Sequence, residues 1–267
     1  MSYKVNKALQ FSQRFINGSP KKKKEMVTQY NDKIYEGICS HITEGDSFRS
    51  CDALNEINSV LPEKKRIDIK NLQNKFIKNY DGGSDYIYDK NDNIIGHTLE
   101  LPIKKGKIKG KDLPTFMHEL THILDVFVNP KYNVRATNCE IKGLYGKKYD
   151  KVYDKLYNVE KYSNESEKAK IIEERKEEVL NFLQGKPVED KMDCIQDLRY
   201  SLETEQNAYR EQLRFARKTQ TKNIEVEPND LIEYEDKYLF TEKLQMLKEI
   251  GLDIVKKQRN KLQKKHK

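Results

Sequence analysis

The chain has 267 residues, with 51 Lys or Arg against 43 Asp or Glu and a net charge of +8. Charged residues make up 35% and hydrophobic ones only 36%, a polar balance where about 25% charged is ordinary. No window approaches the ~18 uninterrupted apolar residues of a spanning helix, which excludes a helical membrane protein, and sixteen Tyr with nine Phe are too many for a disordered tail.

In chain order, residues 3–16 and 22–40 read as helices separated by Asn17-Gly18-Ser19-Pro20. A short helix follows at 50–60, before Pro62. Over 66–80 the apolar positions are Ile67, Ile69, Leu72, Phe76 and Ile77, and the last three have helical spacing. The texture then changes. After Asp81-Gly82-Gly83-Ser84, the runs Tyr86-Ile87-Tyr88 and 94–101 flank Lys90-Asn91-Asp92-Asn93 and predict a hairpin. A helix is expected at 113–128, with Asp112 as N-cap, Pro114 in its first turn and Asn129-Pro130 at its end. Further helices are expected at 164–183, at 189–217 and from 230 towards the C-terminus. The expectation is an α+β protein, mostly α, with one small antiparallel sheet. It divides as a helical N-terminal region (1–80), a catalytic core (81–217) and a C-terminal helical extension (218–267).

The Lys excess is interleaved with Glu, the pattern of solvated helix faces rather than of a nucleic-acid footprint. The clearly one-signed stretches are Lys21-Lys22-Lys23-Lys24 and residues 256–267. Cys39, Cys51, Cys139 and Cys194 form no CxxC pair, so a Cys-based zinc ribbon is not indicated and free thiols are expected, a Cys39–Cys51 bridge being the alternative. Residues 1–16 hold no apolar signal core. The expected compartment is the cytoplasm, with export as an effector lacking a cleavable signal left open.

The chemistry is concentrated in His118-Glu119-Leu120-Thr121-His122. Four residues is about one helical turn, so both imidazoles project from one face and can share a metal. Glu119 lies beside that metal, placed to take a proton from water. With five His in the chain, an accidental HExxH is expected in roughly 1% of such sequences. The flanking Phe116, Met117, Ile123, Leu124 and Phe127 mark a core helix, where two His and a Glu are costly without a metal.

This pattern resembles the zincin superfamily of zinc metallopeptidases over about residues 85–217. The resemblance implies an edge strand lining a substrate cleft just before the helix, a position held by 94–101. The metzincin continuation is absent, since Ile-Leu-Asp follows His122 and no third His comes later in it. A carboxylate third ligand is therefore implied, as in gluzincins or aspzincins.

Two carboxylates compete for that place. Asp125 is three residues after His122 on the same face; so short a side chain more often fixes the tautomer of a ligand His, and lethal-factor-like metallopeptidases carry a similar HExxHxxD. Glu205 shares a helical stripe with Leu198, Leu202 and Tyr209, where a carboxylate among apolar residues needs a partner. Glu203, near Arg199 and Arg210, reads as a surface charge. Glu205 to Ala208 also resembles the second gluzincin motif, ExxA, with Tyr209 where several families have Asp. The resemblance implies Zn²⁺ on His118, His122 and Glu205, Asp125 as support or alternative ligand, and Glu119 as general base for peptide hydrolysis. Tyr209, Tyr132 and, less so, Tyr200 are candidates to stabilise the oxyanion.

The expected partner is thus a peptide or protein substrate. Two other readings stay open: a Lys-rich helical binding module for nucleic acid or an acidic surface, with an inactive HExxH, and a different hydrolase, such as an amidase, on the same scaffold.

Overall fold

The computed structural model describes residues 21–42, 47–61, 66–72, 82–91, 94–129, 145–158, 160–222, 224 and 238–265. The expected helix at 3–16, the break at 17–20, the apolar positions Phe76 and Ile77, Asp92-Asn93, Pro130, Tyr132 and Cys139 lie outside them. Most of the described residues are helical, with small sheets, an α+β arrangement dominated by α. No described helix is long and apolar enough to cross a membrane. Cys39, Cys51 and Cys194 are free thiols.

The chain forms two compact units, and neither is continuous in sequence. One comprises the described residues between 21 and 129 together with 207–222 and 224. It contains α1 (Lys21–Ser40), β1 (Ser47–Arg49), α2 (Ser50–Val60), β2 (Arg66–Asn71), β3 (Gly83–Tyr88), β4 (Ile94–Leu101), β5 (Lys107–Lys109) and α3 (Leu113–Val128). The other comprises, of the described residues, 145–158, 160–206 and 238–265; it holds α4 (Lys147–Tyr157), α5 (Glu165–Leu183) and α7 (Phe240–Lys265). Between α5 and α7 runs α6 (Val188–Thr221), an unbroken helix that the division at 206/207 cuts, so that each unit includes part of it.

The hairpin expected from sequence is present: β3 and β4 are antiparallel, with Tyr86 opposite His97. The sheet order, however, is β2-β4-β3. The run 94–101 is therefore the central strand and not an edge; β3 and β2 are the edges. The segment 66–71, grouped by sequence with a helical spacing further on, is a strand parallel to β4. Its own alternation explains this, since Ile67 and Ile69 lie two apart between Arg66, Asp68 and Lys70, the period of a strand. A second, two-stranded sheet pairs β1 with β5, a ribbon too short for periodicity to reveal. Asp112 closes a 3-10 turn, Gly110–Asp112, and makes no capping bond from its side chain to α3, while Pro114 stands in the first turn as expected. The core of this unit joins α1, α2, β4 and α3 through Ile34, Ile38, Ile57, Leu99, Phe116 and Leu120, all fully buried.

In the other unit, Tyr149, Val152 and Leu156 give α4 a buried face, whereas α5 buries only Val179 and Leu183. Asn164 caps α5 by accepting a hydrogen bond from the Glu167 backbone N–H at 3.0 Å. Lys243 of α7 is fully buried. Its Nζ donates to the carbonyls of Leu156 (2.9 Å) and Asn158 (3.2 Å) and pairs with Glu160 at 2.9 Å. A buried cation is thereby matched to the C-terminal end of α4 and to a carboxylate.

Candidate metal centre

Apolar residues on all but one stripe make α3 a core helix. Phe116, Met117, Leu120 and Leu124 are fully buried, and His118 is itself only 7% exposed. His122 and Glu119 are half-buried. The helical four-residue step brings the two imidazoles together, with Nε2 of His118 and Nε2 of His122 3.2 Å apart. Two nitrogens bound at 2.0–2.1 Å to one tetrahedral zinc would themselves stand about 3.3 Å apart. The pair thus has the separation such an ion requires.

Glu205 completes the set. It lies on α6, two residues before Asn207, where the unit containing α3 resumes, and no break in the helix separates them. His118, His122 and Glu205 offer ligand atoms that all fall within 4.8 Å of one another. Two imidazoles and one carboxylate form a donor set suited to zinc. Glu205 is half-buried beyond the fully buried Leu198 and Leu202, the stripe read from sequence. Glu203 is a correction: it is only 6% exposed and not a surface charge. Its side of α6 is covered as well, because Thr204 and Gln206 are also buried.

Asp125 is not among the three clustered groups. It is 3% exposed, and its Oδ2 accepts a hydrogen bond from Nδ2 of Asn207 at 3.0 Å. That bond ties the last turn of α3 to α6, one turn from the His pair. The Tyr209 ring meets the His118 ring edge-on at 4.5 Å between centroids. A tyrosine so placed restrains the imidazole's orientation. Tyr200 is half-buried on α6.

Behind the His-bearing face, α3 is fixed by a polar network. Asn31 of α1, fully buried, donates to Thr121 Oγ1 (3.0 Å) and to Glu211 Oε2 (3.2 Å). Glu211 also binds Arg214, whose Nη1 reaches Asp32 at 2.6 Å. Burial pushes the Asp32 carboxyl up, but hydrogen bonds and charge from Lys218 and Arg214 outweigh it and hold the group below its ordinary range. On the Glu119 side, Gly82 closes in from the start of β3: a Cβ there would stand 2.9 Å from Thr115 Cγ2 and 3.3 Å from Glu119 Cγ. Glycine permits this approach. His97 is buried at 6% exposure and packs against Tyr86 with ring centroids 5.2 Å apart, on the core side of its strand.

Sequence reasoning missed Asn207 as the partner of Asp125, although it is two residues from Glu205. It also missed a tyrosine ladder, in which Tyr145, just before α4, and Tyr149, Tyr153 and Tyr157 on α4 recur every four residues. Tyr145 donates to Asp190 and Tyr149 to Asp197 of α6. Tyr153 and Tyr157 stack at 4.2 Å. Burial pushes the Tyr153 phenol up to about 12, with the charge of Glu205 contributing, and raises Tyr157 through the same two effects. The i, i+4 spacing of four tyrosines was a visible signal. No family model, curated protein or solved structure matches this chain.

Proposed function

We propose that the chain is a zinc-dependent hydrolase of peptide bonds, with His118, His122 and Glu205 holding the metal. The observation that carries this reading is the approach of the two Nε2 atoms to 3.2 Å, with one ring nitrogen of each imidazole and a Glu205 carboxylate oxygen all within 4.8 Å of one another. Zinc in such a site supplies Lewis acidity, polarising a carbonyl and making water acidic enough to give up a proton near neutral pH. Glu119, adjacent to His118 and half-buried, takes that proton as water attacks the carbonyl and delivers it to the departing amine. Asp125 and Asn207 hold α3 against α6 so that the His pair and Glu205 keep their separation. Tyr209, edge-on to His118, fixes that ring. An extended peptide added to the outer edge of β3 would run past Gly82 and so beside Glu119, an arrangement supported by the sheet order and by the closeness of those two residues.

The test is a peptide digest with purified protein, with and without a chelator, beside Glu119→Gln. Wild type should cleave only without chelator. Glu119→Gln should retain its zinc and lose two to four orders of magnitude in rate, roughly the range for a general base. Full activity in Glu119→Gln would overturn its assignment, and chelator-insensitive cleavage would overturn the metal.

A further inference from the structure

We propose that the β1–β5 ribbon is a docking face for an anionic phospholipid surface. The inference does not depend on the hydrolase reading. Between Ile103 and Asp112 the chain carries Lys104, Lys105, Lys107, Lys109 and Lys111 against the single acid Asp112. All five lysines are exposed, and none has an ion-pair partner among the described residues. The register places Arg49 opposite Lys107 and Ser47 opposite Lys109, while Phe48 and Ile108 are opposite each other and buried beneath. Opposed residues in an antiparallel pair project from the same face. Arg49, Lys107 and Lys109 therefore share the outer face, and Lys104 joins them through its bridge to Lys107. Of these, only Arg49 is neutralised, by Asp52 at 2.7 Å.

The face is presented rigidly. Lys104 and Lys107 exchange both backbone hydrogen bonds, at 2.9 and 3.1 Å, and the Ser50 backbone N–H reaches the Gly106 carbonyl at 3.0 Å. Lys105 and Gly106 have φ of 53° and 74°, the left-handed pair of a two-residue hairpin turn. Such a turn favours Asn, Asp or Gly at its first central position. Turn chemistry thus gives no reason for Lys at 105, but an anionic partner does. Several helix lysines differ: Lys168, Lys176, Lys218 and Lys257 each have a carboxylate within 4.0 Å.

Lipid fits this face better than nucleic acid. Four of the five charged side chains just named on or beside the outer face are lysines (Lys104, Lys105, Lys107, Lys109), point charges on flexible stems, and no aromatic side chain is among them. Base reading uses planar Arg or amide groups, and single-strand binding uses aromatic stacking. Lysine suits a surface whose negative charges are mobile and are not fixed in a groove.

Sedimentation with vesicles tests it, comparing pure phosphatidylcholine with phosphatidylcholine containing 30% phosphatidylserine, at low and high salt. The full chain should bind only the anionic vesicles and release at high salt. Each lysine near such a surface contributes about fivefold in partitioning. Lys104→Gln, Lys107→Gln and Lys109→Gln together should therefore lower it by about 100-fold. Lys170→Gln, Lys176→Gln and Lys257→Gln, with the same net charge, should change it less than threefold. Three results would overturn the proposal: no binding by wild type at low salt, equal losses in the two triple variants, or tighter binding to duplex or single-stranded nucleic acid than to the vesicles.

Discussion

Helices α3 and α5 spend ionisable residues in opposite ways. α5, with 19 residues, buries only Val179 and Leu183, and its charges pair along the surface, as in Lys176–Glu173 at 3.1 Å and Lys170–Glu174 at 3.9 Å. α3 has 16 residues and sets His118 and Asp125 among its buried ones. Surface pairs of the first kind are screened by water and contribute little. Desolvated polar groups of the second kind persist only where something satisfies them. In a chain with 35% charged residues, charge itself is therefore a poor guide to function, and a buried ionisable group is informative because it needs a partner.

That contrast can be broken at its strong end first. Asn207→Leu removes the hydrogen bond to the buried Asp125. Zinc affinity, measured by titration against a competing chelator, should fall 10–100-fold, the usual effect of losing a group that orients a ligand. Unchanged affinity would reduce the Asp125–Asn207 bond to packing. At the weak end, Lys176→Gln deletes a pair whose two side chains are 37% and 61% exposed. Its unfolding free energy, from denaturant titration, should change by less than about 0.5 kcal/mol. A loss above about 1 kcal/mol would mean the surface pairs of α5 bear more of the fold than their exposure implies.

What the sequence made legible follows the same division. Helical periodicity is strong where apolar stripes are long, so 113–128 and 22–40 are found nearly at their true limits, and the hairpin of β3 and β4 follows from alternation around a turn. Strand order is another matter. Nothing local says that 66–71 pairs in parallel with β4 and makes 94–101 the centre of the sheet, because that pairing spans the whole of β3. The His118/His122 pair was legible because one helical turn sets its geometry. Glu205 was legible as a carboxylate on the Leu198–Leu202 stripe. Glu203 was misread because neighbouring Arg199 and Arg210 suggest solvent, while α6 is covered on that side too. The basic ribbon was legible only as a Lys-rich loop around Gly106 and Gly110 for a related reason: only pairing with β1 puts its lysines on one face.

The central claim is that His118, His122 and Glu205 hold one metal ion. Zinc content and affinity of the wild type, Glu205→Gln and Glu203→Gln test it most directly. Each variant is nearly isosteric, so each removes one carboxylate charge with little change in shape. The account predicts about one zinc per wild-type chain, a loss of at least 100-fold in affinity for Glu205→Gln, consistent with removing a direct ligand when an outer partner alone is worth 10–100-fold, and wild-type affinity for Glu203→Gln. A wild type that binds no zinc, or a Glu205→Gln variant that binds it as tightly as wild type, would contradict the account.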